Sequence, residues 1–575
     1  MKRCPECRRD YYDDTLLYCL NDGTELVYGL SPDESATAVL SVPPAVAGLL
    51  LLPTAETDAK TAILQPPATA GGSDSIEKRS FSARQAKPLA ASILAIVFLL
   101  GGFFGYRYFA PSNSKQIESI AVMPFVNESG NADVEYLSDG MTETLIKSLA
   151  QIASLNVKPR SSVFRYKGKD TDLKTIGKEL NVEAILNGRV VQRGDELTLS
   201  LELIDVAKER VIWTERYNRK QADLVTLQSE IARDVSANLQ AKLSGAEDQK
   251  ITRSYTDNAD AYQRYLKGRY HWNKRTSDDL EKAVDHFNAA IGKDDKFALA
   301  YSGLADTYSV LPYYQGSRSA EFINKATPFA VRAVELDDKL AEAHSSLAFV
   351  NEGSWKWAEA ERGYQRALDL NPNYASALLR FARFTVRVPK RDEDGLKMLK
   401  RSIEIEPSLP VVNDNLSQMY LAQGKPDLAL VQAKKTVELD ANFSFGWINL
   451  AYAQLKTGQI ADARFSAEKV VEVTKRSSRS LICLGVVAAG SGRAEEARII
   501  LKELDKRYAE RQADATDVAA LHLALNDKEQ AFVWLDKAFA DHSSLLVDLR
   551  AEYPFASILD DSRYKDLRKR MNLPE

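Results

Sequence analysis

One periodicity constrains this chain more than any other feature. Small residues recur at Ala283, Ala326, Ala360, Gly395, Ala429, Ala463, Ala497 and Ala531, in steps of 43, 34, 35, 34, 34, 34 and 34 residues. A period of this length accommodates two antiparallel helices and their turns. Such a pair has no core of its own, so each unit must bury its apolar face against its neighbours. The small residue fits where the two helices cross too closely for a larger side chain. The expected product is a curved rod of stacked helix pairs that offers surface rather than chemistry.

Other positions keep the same phase. Gly424, Gly458 and Gly492 are one period apart, each between two predicted helices, where a residue able to adopt positive φ ends the first. Ala451 and Gly485 fill the small site of the first helix. In one unit Leu347, Ala348, Ala360, Tyr364, Ala367 and Pro372 follow in order; Trp447, Leu450 and Ala451 open another, as do Tyr301, Leu304, Ala305 and Tyr308. This pattern resembles the tetratricopeptide repeat (TPR). About eight units are expected from Ala261 to Asp541, within a repeat region 256–545, with the 43-residue step absorbed by a longer helix pair or loop near 311–318. The tail 546–575 breaks the period. Its Leu549, Phe555, Tyr564, Leu567 and Met571 are placed to cover the last repeat as a C-terminal cap.

Ahead of the repeats the pattern changes. Ile117–Phe125 reads as a buried strand, Leu137–Ile152 as a helix capped by Ser138 or Asp139, Leu155–Pro159 as a short strand and Asp172–Leu180 as a second helix. Three alternating strands follow at Ala184–Gln192, Glu196–Asp205 and Val211–Tyr217, joined as hairpins, then a helix at 224–243. The order implies a mixed sheet backed by helices over 115–245. The segments SIAVMPFVNESGNADVEYLSDGMTETLIKSLA, VEAILNGRVVQRGDELTLSLELIDV and VIWTERYNR resemble the TolB N-terminal-like (FlgO-like) domain of bacterial envelope proteins. That resemblance implies a non-catalytic extracytoplasmic module for protein contacts. Bacterial proteins that join such a domain to TPR units carry similar tails.

The first 108 residues add three smaller pieces. Residues 1–27 hold Cys4-x-x-Cys7 and Cys19-x-x-Asp22, three of the four cysteines of the chain. The spacing is that of a zinc ribbon with Asp in place of the fourth ligand, and CPEC…YCLNDG resembles a ribbon found at bacterial N-termini. A structural Zn²⁺ on Cys4, Cys7, Cys19 and Asp22 is the leading reading. A degenerate knuckle that binds no metal, or a redox or nucleic-acid role, stands beside it. Residues 28–87 are rich in Pro, Ala and Thr and read as a disordered linker. Within 88–108, Leu89–Tyr106 carries no charge and no proline, long enough at about 1.5 Å per residue to cross a bilayer core of about 30 Å. Lys78, Arg79, Arg84 and Lys87 precede this transmembrane helix, and only Arg107 and Lys115 follow closely, which places the N-terminus in the cytoplasm and the domains after the span outside it.

Chemistry is sparse. The five histidines lack metal-ligand spacing, no phosphate-binding glycine loop is present, and Ser491 in Gly490-Ser491-Gly492 falls one residue short of a nucleophile elbow. Cys483, between Ile482 and Leu484, reads as a buried small apolar residue. With 76 basic against 80 acidic residues the chain lacks the excess of Lys and Arg a nucleic-acid surface needs. The first helix of each repeat should line the inner face, and by phase that lining includes Asp306, Arg383, Asp414, Gln418, Phe445 and Tyr452, a mixture suited to an extended peptide or a helix. The expected function is a non-enzymatic scaffold or sensor, anchored by a single pass in a bacterial inner membrane, that binds protein partners and has no small-molecule substrate. The alternative is a membrane-bound, transcription-related regulator whose ribbon contacts nucleic acid or a signalling partner.

Overall fold

The computed structural model describes residues 2–3, 10–11, 27–28, 117–241, 243–315, 319–388 and 391–573. Cys4, Cys7, Cys19 and Asp22, the linker beyond Tyr28 and the membrane helix at 88–108 lie outside the described residues. Among the described residues no helix is long and apolar enough to cross a membrane. Near the N-terminus three two-residue strands, β1 (Lys2–Arg3), β2 (Asp10–Tyr11) and β3 (Val27–Tyr28), form a small antiparallel sheet with β1 in the middle.

The sheet domain begins with β4 (Ser119–Val122) and β5 (Val126–Asn127), both parallel to a later strand. The single strand expected over Ile117–Phe125 is thus interrupted, where Pro124 has no N–H to donate to a ladder. Helix α1 (Glu135–Leu149), strand β6 (Asn156–Val157), and helices α2 (Arg160–Phe164) and α3 (Leu173–Leu180) follow. Next come β7 (Ala184–Arg193), β8 (Glu196–Asp205), β9 (Arg210–Lys220) and α4 (Leu224–Asn238). The strand order is β6-β4-β7-β8-β9, with β5 beside β7. Leu197, Leu199, Leu201 and Leu203 alternate along β8 and are all buried, which fixes the face that the helices cover.

Two expectations for α1 and α3 meet different fates. Asp172 caps α3, its side chain accepting from Thr175 N at 2.9 Å. Ser138 and Asp139, expected as caps, are instead buried inside α1, because a turn at Ala132–Val134 capped by Asn131 already starts the helical path ahead of them. Helix α4 stops at Asn238, short of 243, and α5 (Gly245–Ile251), held by a capping box between Ser244 and Glu247, leads to the repeats.

Eight helix pairs follow among the described residues, packed pair against pair as the period predicts. Repeat 1 is Ala259–Lys274 with Ser277–Lys293, repeat 2 Ala298–Gln315 with Ser319–Leu336, repeat 3 Ala341–Gly353 with Trp357–Leu370, and repeat 4 Ala375–Arg387 with Asp392–Ile405. Repeat 5 is Pro410–Ala422 with Pro426–Leu439, repeat 6 Ser444–Lys456 with Ile460–Val473, repeat 7 Ser478–Gly490 with Ala494–Ala509, and repeat 8 Ala515–Ala524 with Lys528–Ala540. All eight periodic small residues lie in the second helices and are buried. The long step is explained by repeat 2. Its helices run 18 residues each, against 13 and 14 in repeats 3 to 6, so the extra chain extends both arms of one hairpin.

Gly424, Gly458 and Gly492 have φ of +70°, +77° and +79°, as a turn ending the first helix requires. Asn526, one period further on, takes the same conformation at +63°, and so does Trp355 at the equivalent turn of repeat 3. A bulky residue is costly there. Trp355 is held by its stacking at 5.3 Å on Phe539 and by His542 at 4.8 Å, both from the far end of the repeats.

That contact shows how far the stack bends. The stack was expected to be a curved rod whose inner face takes a partner; the curvature is tight enough that repeat 8 returns to repeats 2 and 3. Besides Trp355, Arg511 pairs with Glu321 at 3.0 Å, and Lys475, after repeat 6, reaches Asp278 of repeat 1. The tail also does more than cover repeat 8. Its turns at Ser544–Asp548 and Tyr553–Ile558 reach the inner face, while its helix at Ser562–Arg570 packs on the second helix of repeat 8 through Arg563 and Arg570, with Leu549, Phe555, Tyr564, Leu567 and Met571 buried.

The sheet domain and the repeats also share packing. Sequence reading separates 115–245 from the repeats, yet one continuous apolar core runs from Ile120 to Leu311. Gly140 in α1 is a point of close approach, where a Cβ would sit 2.9 Å from Leu266 of repeat 1.

Candidate functional site

The repeat period places the first helix of every pair on the inside, and there the candidate residues converge. Arg383, Asp414, Gln418, Phe445 and Tyr452 all line one partly open cavity. Asp306 stands apart. It forms a buried ion pair with Arg380 at 2.9 Å, tying repeat 2 to repeat 4.

Each charged member of the lining has its own account. Arg383 donates to both oxygens of Asp548 at 3.1 and 3.0 Å, and Arg387 donates to the same carboxylate. Burial alone would raise the Asp548 pKa; the two guanidiniums overcome it and hold the group at about 2. Glu352 lies beside Arg387 and accepts from Tyr364 Oη at 2.6 Å. Arg479 bridges Asp517 at 2.8 Å and Glu552. Asp414 has no cation at ion-pair distance among the described residues. It accepts from Asn449 Nδ2 at 2.7 Å, and burial pushes its pKa up to about 7. Tyr452 packs on Tyr553 of the tail with ring centroids 5.2 Å apart, and burial raises its hydroxyl pKa.

The inner face is therefore already in contact with polypeptide. Asp548, Glu552 and Tyr553 of the tail meet Arg383 with Arg387, Arg479, and Tyr452 respectively. Arg550 adds a two-pronged pair to Asp392 with both distances 2.6 Å, and Ser319 Oγ accepts from Ser544 N at 2.7 Å.

Sequence reasoning missed Arg275, Asn449, Arg479, Glu552 and Tyr553. Arg479 was accessible to it: Val411, Phe445 and Arg479 lie 34 residues apart and all line the cavity. The tail residues carry no periodic signal. Cys483 is fully buried, and burial pushes its thiol up to about 12, so the reading of an inert small residue agrees with its surroundings. Among the described residues no group of three or more His, Cys, Asp or Glu is placed to hold a metal.

Comparison with known proteins adds the following. Residues 115–234 match the family described as HilA/YgeH-like transcriptional regulator, second domain. A putative adenylate cyclase 3 of Rhizobium meliloti (strain 1021) is 36% identical over 132 residues, which are 23% of this chain and 22% of that relative. The chain thus spans less than a quarter of the length of the curated relative it matches. Pseudomonas aeruginosa PilF is similar over 38% of this chain and 94% of its own, at 22% identity and a TM-score of 0.30. YrrB, a TPR protein with an unusual peptide-binding site, matches 34% of this chain and 97% of its own, at 19% identity and 0.23. The human IFIT1 dimer with PPP-AAAA matches 78% of this chain and 97% of its own, at 15% identity and 0.41.

Proposed function

We propose that this protein is a non-enzymatic scaffold that recognises polypeptide through the inner face of its repeats, anchored in a bacterial inner membrane by Leu89–Tyr106 with the repeats on the extracytoplasmic side. The observation that carries the reading is the tail. Arg383, Arg387 and Arg479 already engage Asp548 and Glu552, with Tyr452 against Tyr553, so this surface reads carboxylates and rings presented by a peptide chain. The sheet domain, read as TolB-like, shares an apolar core with repeat 1. A structural Zn²⁺ on Cys4, Cys7, Cys19 and Asp22 would give the N-terminal piece the core it lacks.

The test is site-specific photo-crosslinking in cells with the full chain. A crosslinker at Gln418 on the inner face is expected to trap a protein that one at Glu404, on the second helix of repeat 4, does not. Trapping at Glu404 alone, or at neither position, would refute the reading. The match of residues 115–234 to a transcriptional-regulator domain favours a second reading, a membrane-bound regulator of transcription. Recovery of specific DNA fragments with the full chain, lost in Cys4→Ser, would support that reading instead.

A further inference from the structure

We infer that Tyr136, Arg264, Lys267 and His286 form a binding site for a phosphate group at the junction of the sheet domain and repeat 1. None of the four lines the inner cavity, so the inference stands apart from the scaffold reading.

Three elements bring these side chains together. Arg264, Lys267 and His271 follow one another at intervals of three and four residues on the first helix of repeat 1, which places them on one face. His286, on the second helix, stacks on His271 with ring centroids 5.3 Å apart and planes 13° from parallel. Tyr136 sits in the first turn of α1, and the Lys267 ammonium lies 4.6 Å from the centre of its ring. Lys267 thus joins Tyr136 of the sheet domain to the two histidines of repeat 1. What marks the group is a surplus of donors. Among the described residues the Tyr136 hydroxyl, the Arg264 guanidinium, the Lys267 ammonium and the His286 ring have no hydrogen-bond or ion-pair partner. Neighbouring cations are answered: Arg269 pairs with Glu143 at 2.7 Å, and His271 donates from Nδ1 to Asp279 at 2.8 Å, a carboxylate that also faces Lys274 at 3.5 Å. The carboxylates that act on the unanswered group are Asp133, toward Lys267, and Asp285, toward His286, and neither comes within ion-pair distance.

The surroundings sharpen the argument. Tyr136 is buried, which raises its hydroxyl pKa, while Arg264 acts on it in the opposite sense. Burial, His271, Lys267 and Arg264 together pull His286 down to about 4, so its ring is uncharged at neutral pH. Two cations one helical turn apart repel, and a hydroxyl drawn out of water without an acceptor costs free energy. An anion seated among them removes both costs. A phosphate group presents three or four oxygens in diverging directions, and a guanidinium fork beside a lysine point charge suits it. A carboxylate has two oxygens in one plane, too few for donors that arrive from three elements.

The test uses the full chain in a neutral detergent, with its five histidines labelled with carbon-13 for magnetic resonance, titrated with inorganic phosphate at constant ionic strength. A saturable response of the His286 signal is expected, the signal being identified by its loss in His286→Gln. Bound phosphate should raise the midpoint of the His286 titration by about one pH unit or more, since a nearby negative charge favours the imidazolium. The His522 signal, from repeat 8, should not respond. Arg264→Gln and Lys267→Gln should each weaken binding by at least about tenfold, and Tyr136→Phe by less. Arg264 is exposed and Lys267 half-buried, so both glutamine variants keep the fold. A response to phosphatidic acid in mixed micelles without one to inorganic phosphate would support the site and identify a lipid headgroup as the source of the phosphate. No saturable response of His286 to either probe, an equal response to chloride, or undiminished binding when Arg264→Gln and Lys267→Gln are combined would overturn the inference.

Discussion

Replacing Asp548 by Asn tests how the tail is held inside the repeats. The carboxylate is buried and accepts hydrogen bonds from Arg383 and Arg387, while Tyr313 Oη donates to it at 3.3 Å. Removing one partner of a buried charged network costs about 3–5 kcal/mol, mainly because the remaining charge stays buried and unanswered. Arg387 keeps Glu352 beside it, whereas Arg383 loses its only ion-pair partner among the described residues, so the lower part of that range is expected, about 3 kcal/mol. Against this stand five buried anchors, Leu549, Phe555, Ile558, Leu567 and Met571. At roughly 1.5–3 kcal/mol each they contribute of order 10 kcal/mol as an upper bound. The anchors win, and the tail stays docked in the variant. What changes is the free energy of opening it. Hydrogen exchange at the amides of Ala551 and Glu552, both bonded to the Asp548 carbonyl, should therefore speed up by roughly two orders of magnitude, at about 1.36 kcal/mol per tenfold. Exposed Asp369→Asn should leave those amides unchanged. Unaltered protection in Asp548→Asn would show that apolar packing alone sets the opening, and the account of the inner face as a reader of carboxylates would fall with it.

Two further outcomes follow from the packing and charge around repeat 1. The Phe287 ring is pinched between two glycines, Gly268 and Gly303, where an added Cβ would come within 2.6 and 2.8 Å of it. Gly268→Ala and Gly303→Ala should each destabilise by about 1–3 kcal/mol, and the double variant by less than their sum, because one ring displacement relieves both; additive losses in thermal unfolding would contradict this. Glu143 joins α1 to repeat 1 through Arg269 and Asn273, both at 2.7 Å, with Arg160 and Lys147 close by. Burial would raise its pKa, but Arg269, Lys147 and Arg160 hold it well below the ordinary 4.5. A depressed carboxyl pKa contributes stability that is present above about 4.5 and is lost as pH falls toward the folded value. Glu143→Gln should lower the melting temperature clearly at pH 7 and converge on the parent chain in acid; a pH-independent difference would refute the assignment.

Several features were legible in the residues, and others were hidden for identifiable reasons. The period located the helix pairs, the crossing residues and the positive-φ glycines Gly424, Gly458 and Gly492, because each unit repeats the same local packing. The same phase also brought Arg383, Asp414, Gln418, Phe445 and Tyr452 to one face. Asp306 obeyed the phase but found Arg380 across the stack, a choice that depends on curvature rather than spacing. The caps of α1 were misplaced because Ser138 and Asp139 have cap chemistry but lie within a helix whose path begins at Asn131. Nothing in a linear pattern distinguishes a capping side chain from a buried one of the same type.

The sequence alone determined what each unit is: a pair of helices with one apolar stripe, forced by its own incompleteness to stack. That follows from local physics, namely helix periodicity, the space allowed at a crossing and the conformational demands of a turn. Tertiary structure alone decided how far the stack curls, that Trp355 meets Phe539 across the closure, that the sheet domain shares its core with repeats 1 and 2, and that the tail turns inward with Asp548 among the arginines. Curvature is a sum of small rotations between successive pairs. The place where the two ends meet depends on all of those rotations together, which no single position in the chain encodes.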